Sequence, residues 1–262
     1  MSTTSLINRI MHQTKASNLV VSKQENNILI DMHAHSSGIS ACCRAPFETV
    51  IHNALDIGID GIILTNHYQK SYVPNGDFKA FAKRYTDEFR LAKAYGDTVG
   101  CKVFFGAEIT MERYNGTHLL LYGIEEKFIE NNPTLFDLSQ EELYRIVKAV
   151  NGIIIQAHPY RKIKNLLNVR YLDGVEINCH PLYGKSDFAD MVKIAKESSL
   201  LLTCGGDFHA DAYRPKCGVY LPDYLQTGKE IGEYLLKTPS LKLCIHEPNT
   251  KEPFDYLYIC SH

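Results

Sequence analysis

From residue 28 onward the chain alternates short apolar runs with longer amphipathic stretches. The runs are Ile28–Ile30, Gly61–Leu64, Lys102–Phe105, Leu119–Tyr122, Ile153–Ile155, Gly174–Ile177 and Leu200–Thr203. Rich in β-branched residues and leucine, they read as strands buried on both faces, the pattern of a parallel sheet. Helical patterns lie between them. Phe47, Val50, Ile51, Ala54 and Leu55 follow the spacing of an amphipathic helix, with Pro46 suited to its first turn and Gly58 just past its end. Further helices are predicted from Asp77 to about Tyr95, from Ser139 with Glu142 completing a capping box, from Asp187 to Glu197, and near Lys229–Lys237. Alternating strands and helices predict helical crossovers between parallel strands. Roughly seven strands, most with polar residues at the carboxyl end, favour a closed (β/α) barrel over an open sheet, which gathers its site from two or three strands. Residues 1–27, with Leu6, Ile7, Ile10 and Met11 on one face and polar residues after them, read as an N-terminal tail or packing arm. Residues 28–262 then form one domain, with no internal repeat or dividing linker.

The ends of the apolar runs carry the chemistry. Six of the eleven histidines lie there, in His33-Ala34-His35, Thr65-Asn66-His67, Thr117-His118, Ala157-His158-Pro159 and Asp207-Phe208-His209, and Glu108 joins them in Gly106-Ala107-Glu108. Imidazole and carboxylate are the ligands of first-row metals, and ligands delivered from many strand ends to one point make a metal centre. His33 and His35, two apart, share a face and can bind one ion; Asp207 and His209 repeat that spacing from the last strand. Gly205-Gly206 before them lets the backbone pass close to a crowded site. Glu108 can bridge two ions with its two oxygens. His118 begins its run, so in a strict barrel it lies at the wrong end, unless this strand is antiparallel or the barrel distorted.

Other polar residues have plainer readings. His12, His52, His246 and His262 read as ordinary hydrogen-bonded imidazoles. His180, in Asn178-Cys179-His180-Pro181, either faces the site or caps its loop, and Glu176 and Asn178 either point inward or pack. Asp31 is read as packing or bonding to backbone at its strand end. Tyr68, Tyr114 and Tyr160, three of sixteen tyrosines, stand beside the motifs, where they either line a pocket or pack. The charges of Lys79–Arg90 read as a solvated helix face.

Composition narrows the function classes. The 262 residues are 45% hydrophobic and 22% charged with a formal net charge of -2, so no basic excess marks a nucleic-acid groove. The eight cysteines lack metal-finger spacing and the amino end lacks a secretory signal, which points to reduced thiols in a cytoplasm. Nothing approaches the apolar length of a membrane span. No residue pattern specifies an oligomeric state.

At these positions the sequence resembles the PHP (polymerase and histidinol phosphatase) family. The segments that carry the likeness are Asp31-Met32-His33-Ala34-His35-Ser36, Leu64-Thr65-Asn66-His67, Gly106-Ala107-Glu108, Gly116-Thr117-His118-Leu119, Ala157-His158-Pro159 and Gly206-Asp207-Phe208-His209, in family order over residues 28–215. The resemblance implies a distorted (β/α)7 barrel with two or three divalent ions (Zn, Mn or Fe). It places one ion on His33, His35, Glu108 and Asp207, and a second on Glu108, His118 and His158. A third would take His67, His209 and a residue shortly after His35. Where the family has Asp or His for that residue, this chain has Ser40 and Ala41, followed by Cys42, whose thiolate is a candidate ligand. Asn66 stands where the family commonly has aspartate. The implied activity is hydrolysis of a phosphate ester on a small substrate by a metal-activated hydroxide, with Arg161 and Arg44 as candidate cations for the phosphate. Three alternatives remain: a non-catalytic, regulatory or structural metal-binding PHP domain; an amidohydrolase-like metallohydrolase, which would carry a lysine bridging ligand where this chain has Glu108; and a polymerase-associated module acting on nucleic acid, disfavoured by the charge.

Overall fold

The computed structural model describes residues 26–160, 165–180, 188–209, 215–248 and 250–260. Most of the predicted N-terminal arm (residues 1–25), and Arg161, lie outside the described residues. In chain order the strands are β1 (Asn27–Ala34), β2 (Gly61–Leu64), β3 (His67–Tyr68), β4 (Lys102–Phe105), β5 (Ala107–Met111), β6 (Thr117–Tyr122), β7 (Ile153–Gln156), β8 (Gly174–Asn178), β9 (Leu201–Gly205), β10 (Gly218–Pro222), β11 (Ser240–Ile245) and β12 (Phe254–Ile259). The helices among the described residues are α1 (Phe47–Asp56), α2 (Phe78–Val99), α3 (Glu126–Asn131), α4 (Gln140–Ala149), α5 (Phe188–Glu197) and α6 (Gly228–Leu235).

The strands form two six-stranded sheets in a mixed α/β fold, ordered β12-β11-β10-β1-β2-β4 and β3-β5-β6-β7-β8-β9. β1, β2 and β4 are parallel, and β10–β12 extend that sheet antiparallel from the other edge of β1. In the second sheet β6 runs antiparallel to both β5 and β7, while β7, β8 and β9 are parallel. The chain passes from the first sheet to the second twice, through Thr65-Asn66 and through Gly106, returning each time by a longer connection, from β3 to β4 and from β9 to β10. Tyr85 Oη, from α2, lies 2.6 Å from the Asn66 carbonyl and 3.1 Å from that of Gly106, so one buried hydroxyl serves the carbonyls at both breaks. A side chain at Gly106 would stand 2.7 Å from Ile63 Cγ2, which is why the second crossing is a glycine. The ends of β1 and β9 approach through a parallel bridge between Ala34 and Phe208 and a hydrogen bond from Asp207 N to His33 O (2.8 Å).

The predicted helices form where their caps and stops allow. Asp77 accepts from Ala80 N at the start of α2, and the helix runs past Tyr95 because nothing breaks it before Gly100, which is left-handed (φ 79°). The Ser139–Glu142 capping box closes in both directions, and Thr227–Glu230 repeats it on α6. On α2 the charges from Lys83 to Arg90 are a solvated face, with Lys83–Asp87 and Asp87–Arg90 ion pairs. No helix among the described residues is long and apolar enough to cross a membrane.

Alternation overlooked five strands, β3, β5, β10, β11 and β12, and the short α3. Glu108 therefore does not end its run: it lies within β5, on the far side of the Gly106 crossing. β12 is amphipathic but inverted for an edge, exposing Leu257 and Ile259 and burying Tyr258, which obscured its pattern.

Candidate metal centre

Of the eight predicted ligand side chains, five surround a sixth, the fully buried Glu108, and Asp207 and His209 adjoin them. Glu108 Oε1 faces His118 Nδ1 at 2.8 Å, His158 Nε2 at 3.1 Å and His33 Nε2 at 3.5 Å. Glu108 Oε2 faces His67 Nδ1 at 2.6 Å and His35 Nε2 at 3.4 Å. Asp207 Oδ1 lies 3.2 Å from His35 Nε2, 3.4 Å from His33 Nε2 and 3.3 Å from His209 Nδ1. Antiparallel β6 resolves the position of His118: it pairs with Thr110, two residues beyond Glu108, which brings an imidazole from the start of a strand to the same site. His158 (φ 30°) and Asp207 (φ 50°) occupy left-handed backbone that their side chains disfavour, a strain of the kind that collects at functional sites.

The surrounding residues decide which way the ring nitrogens face. His33 Nδ1 is 2.8 Å from Glu176 Oε1, and a carboxylate only accepts, so Nδ1 carries the proton and Nε2 turns a lone pair to the cluster. His209 Nδ1 is likewise committed to the Asp207 carbonyl at 2.7 Å. His35 Nδ1 meets Ser40 Oγ at 3.1 Å, and that hydroxyl donates to Asn66 Oδ1 at 2.9 Å, so His35 Nδ1 must donate to the serine. With both rings neutral, His33 Nε2 and His35 Nε2 confront each other at 3.0 Å as two acceptors, a pairing that needs a proton or a metal ion between them. His67 Nδ1 and Glu108 Oε2 are buried, 2.6 Å apart and outside hydrogen-bond geometry, as two donors to a common ion would be. The residues present fit a divalent-metal centre of nitrogen and carboxylate ligands.

Electrostatics agree. Burial opposes charge on Glu108 and Asp207, but His118, His67 and His33 around the first, and His33, His35 and His158 around the second, hold both well below the usual carboxylate range. Burial also disfavours charge on the imidazoles; Glu176, Asp207 and Glu108 nevertheless raise His33 well above its ordinary value, and Glu108 and Cys42 raise His67 to about 10. His35 goes the other way, pushed well down by burial and by His209 and His67. A proton on one member of the His33–His35 pair meets the same demand as a cation.

Glu176 proves to be a supporting carboxylate: fully buried, it also accepts from His158 N at 3.1 Å and from Asn178 Nδ2 at 3.3 Å. Asp31 accepts from His33 N and Gly206 N, the backbone role read for it. His180 is buried with its ring centroid 6.2 Å from that of His209, at the margin of the cluster. Cys42 is exposed at the His67–His209 side; burial opposes its ionisation, but hydrogen bonds with His209 and His67 bring the thiol down to about 5. Arg44 is exposed on the same loop, which its backbone N–H ties to the His209 carbonyl at 3.0 Å. Ser40 is the supporting residue that sequence reasoning missed: set against the family pattern it looked like a lost ligand, and its spacing from Asn66 carried no signal. Tyr72, with its ring edge-on to His67 at 6.2 Å, was also unforeseen.

No family model matches the sequence, and no curated protein matches it. Solved structures do. A two-domain protein from Bacteroides vulgatus, described as containing a predicted PHP-like metal-dependent phosphoesterase, aligns with TM-score 0.62 at 15% identity over 86% of this chain; the chain spans 66% of that protein's length. PsfC from Pseudomonas syringae aligns with TM-score 0.56 at 18% identity, over 75% of this chain and 82% of that one. An amidohydrolase from Chromobacterium violaceum, with bound sulfate and no metal, aligns with TM-score 0.51 at 16% identity, over 79% of this chain and 97% of that one. At these identities the likeness is one of fold, and the fold is PHP-like.

Proposed function

We propose that the protein is a metal-dependent phosphoesterase acting on a small phosphorylated substrate. The observation that carries the proposal is the convergence of five imidazoles, those of His33, His35, His67, His118 and His158, on the fully buried Glu108, with Asp207 beside His33 and His35. The fold reading that accompanies it is a distorted (β/α)7 barrel. Its support is that β2 runs on into β3 and β4 into β5, which reduces the strands from β1 to β9 to seven, and that the Ala34–Phe208 bridge joins their ends. That none of the eight cysteines is in a disulfide supports a reducing cytoplasm.

His33, His35, Glu108 and Asp207 would hold one divalent ion, and Glu108, His118 and His158 a second, with Zn, Mn and Fe all suited to the donor set. His67 and His209 stand beside them for a third, with Cys42 as the exposed thiol at that end. Bound ions of this kind supply a nucleophilic hydroxide at neutral pH and neutralise phosphoryl charge. The chain's own contribution is positional. Glu176 and Ser40 fix the tautomers of His33 and His35, Glu108 presents both its oxygens to the surrounding imidazoles, and Arg44 offers a cation at the open side for the phosphate. Arg161 is proposed for the same role from the sequence.

The test is metal content and hydrolysis of an aryl phosphate, measured together with and without added Mn or Zn, on wild type and Glu108→Gln. Two or more ions per chain with metal-dependent turnover are expected, both lost in E108Q. Stoichiometric metal with no turnover under either metal would reject phosphoesterase activity in favour of a non-catalytic metal-binding role, and full activity in E108Q would reject the bridging carboxylate.

A further inference from the structure

A second group of ligand side chains lies behind the strands that carry Glu176 and lead to Asp207. On β9, Gly205 faces inward, where an added side chain would meet His33 and Glu176. Cys204, its neighbour, therefore points to the opposite face. There it meets Cys179, just past β8, and Cys217, just before β10. All three are buried, their sulfurs lie within 4.8 Å of one another, and Cys179 Sγ and Cys204 Sγ are 3.5 Å apart. His246, just past β11, adjoins the group: its backbone hydrogen-bonds to Cys179, and its ring acts on that thiol electrostatically. His246 Nε2 is 3.2 Å from the Thr250 carbonyl, which can only accept, so Nε2 carries the proton and Nδ1 the lone pair. That Nδ1 is buried with no hydrogen-bond partner.

We propose that Cys179, Cys204 and Cys217, completed by His246 Nδ1, form a second, structural site for one thiophilic divalent ion of the zinc type. Buried cysteines often pack simply as small apolar side chains. A buried imidazole nitrogen without a partner, on a residue bonded to one of them, is what that explanation leaves over. Thiolate and imidazole are the donors that zinc prefers, and tetrahedral zinc with bonds of about 2.3 Å holds its sulfurs roughly 3.8 Å apart, close to the 3.5 Å between Cys179 Sγ and Cys204 Sγ. Binding exchanges three thiol protons for the ion, which leaves a neutral imidazole and three thiolates around a dication. The four ligands come from the ends of β8, β9 and β11 and the start of β10. The ion would thus pin the antiparallel extension to the strands that position Glu176 and Asp207.

The test uses the full chain with Cys42→Ser, which removes the exposed thiol beside the other centre. Zinc-edge X-ray absorption of the zinc-loaded C42S protein is expected to show zinc–sulfur scattering near 2.3 Å, and cobalt loading a thiolate-to-cobalt charge-transfer band. Adding Cys217→Ser or Cys204→Ser should remove the band and one ion per chain, while adding Glu108→Gln should leave the band in place. Absence of sulfur scattering and of the band in C42S alone would overturn the proposal, even if the cysteine variants fail to fold. So would a band that survives both Cys204→Ser and Cys217→Ser.

Discussion

Glu176→Gln is the most discriminating perturbation of the metal centre, because it changes charge and hydrogen-bond polarity with almost no change of volume. Glu176 is fully buried and accepts at both oxygens, from His33 Nδ1 at 2.8 Å and from His158 N at 3.1 Å. A glutamine has one acceptor and one donor. With its oxygen toward His33, its NH2 confronts the His158 N–H, and with its oxygen toward His158, the NH2 confronts His33 Nδ1–H. The second arrangement drives the His33 proton to Nε2, the atom that faces the cluster. Loss of such a supporting carboxylate typically costs 10–100-fold in metal affinity, about 1.4–2.7 kcal/mol. Competition with a graded chelator, read by metal retained per chain, measures it, and the melting temperature of the metal-free protein controls for folding. E176Q should release metal 10–100-fold more readily while the metal-free protein melts within a few degrees of wild type. Metal affinity within about twofold of wild type would refute the tautomer argument, since a tenfold loss is its lower bound.

Other perturbations follow from the same geometry. Ser40→Ala removes the acceptor of His35 Nδ1–H, and a neutral hydrogen bond of about 1 kcal/mol predicts a roughly fivefold loss of metal affinity by the same chelator assay, smaller than for E176Q. Gly205→Ala places a methyl 2.5 Å from His33 Cβ and 2.9 Å from His33 N; overpacking of about 1–3 kcal/mol should lower the melting temperature by several degrees and reduce metal content together. Metal affinity should rise with pH, because the raised His33 and the His67 held at about 10 keep their protons through neutrality and must lose them to bind. Each displaced proton contributes about a tenfold gain per pH unit below its pKa, so isothermal titration in buffers of differing ionisation heat should register proton release; affinity flat from pH 6 to 9 would contradict this.

The parts of the molecule legible in the sequence are those written in short-range pattern. Buried parallel strands and capped helices announce themselves through runs of isoleucine, valine and leucine and through Ser139–Glu142, and each metal-centre residue stands next to such a run. What escaped depends on contacts distant in sequence. β5 looks like the tail of β4 until Gly106 is seen to turn the chain into a second sheet. β12 was missed because a strand at an exposed edge has a mixed pattern. Likewise, Ser40 shows no relation to Asn66 along the chain, and His246 reads as ordinary until its Nδ1 is found buried without a partner.

The polarity of the centre can be followed back to one group that has no choice. The backbone N–H of Ser36 can only donate, and it donates to Asn66 Oδ1 at 2.7 Å. That fixes the Asn66 amide, with Nδ2 toward Ser36 Oγ at 3.0 Å, and obliges the Ser36 hydroxyl to give its proton to Glu88 at 2.7 Å. The second contact to Asn66 Oδ1 must also come from a donor, so the Ser40 hydroxyl spends its only proton there. Ser40 Oγ is left as an acceptor, taking His67 N at 3.0 Å and the Nδ1 proton of His35 at 3.1 Å. The Nε2 lone pair of His35 is thereby set from a peptide group, through neutral side chains alone. Asparagine at position 66, in place of a carboxylate, therefore does not weaken the control of His35. It delivers the same direction without adding a negative charge to a centre that already holds Glu108 and Asp207, which under the proposed function would leave more of the bound ions' positive charge for a phosphate.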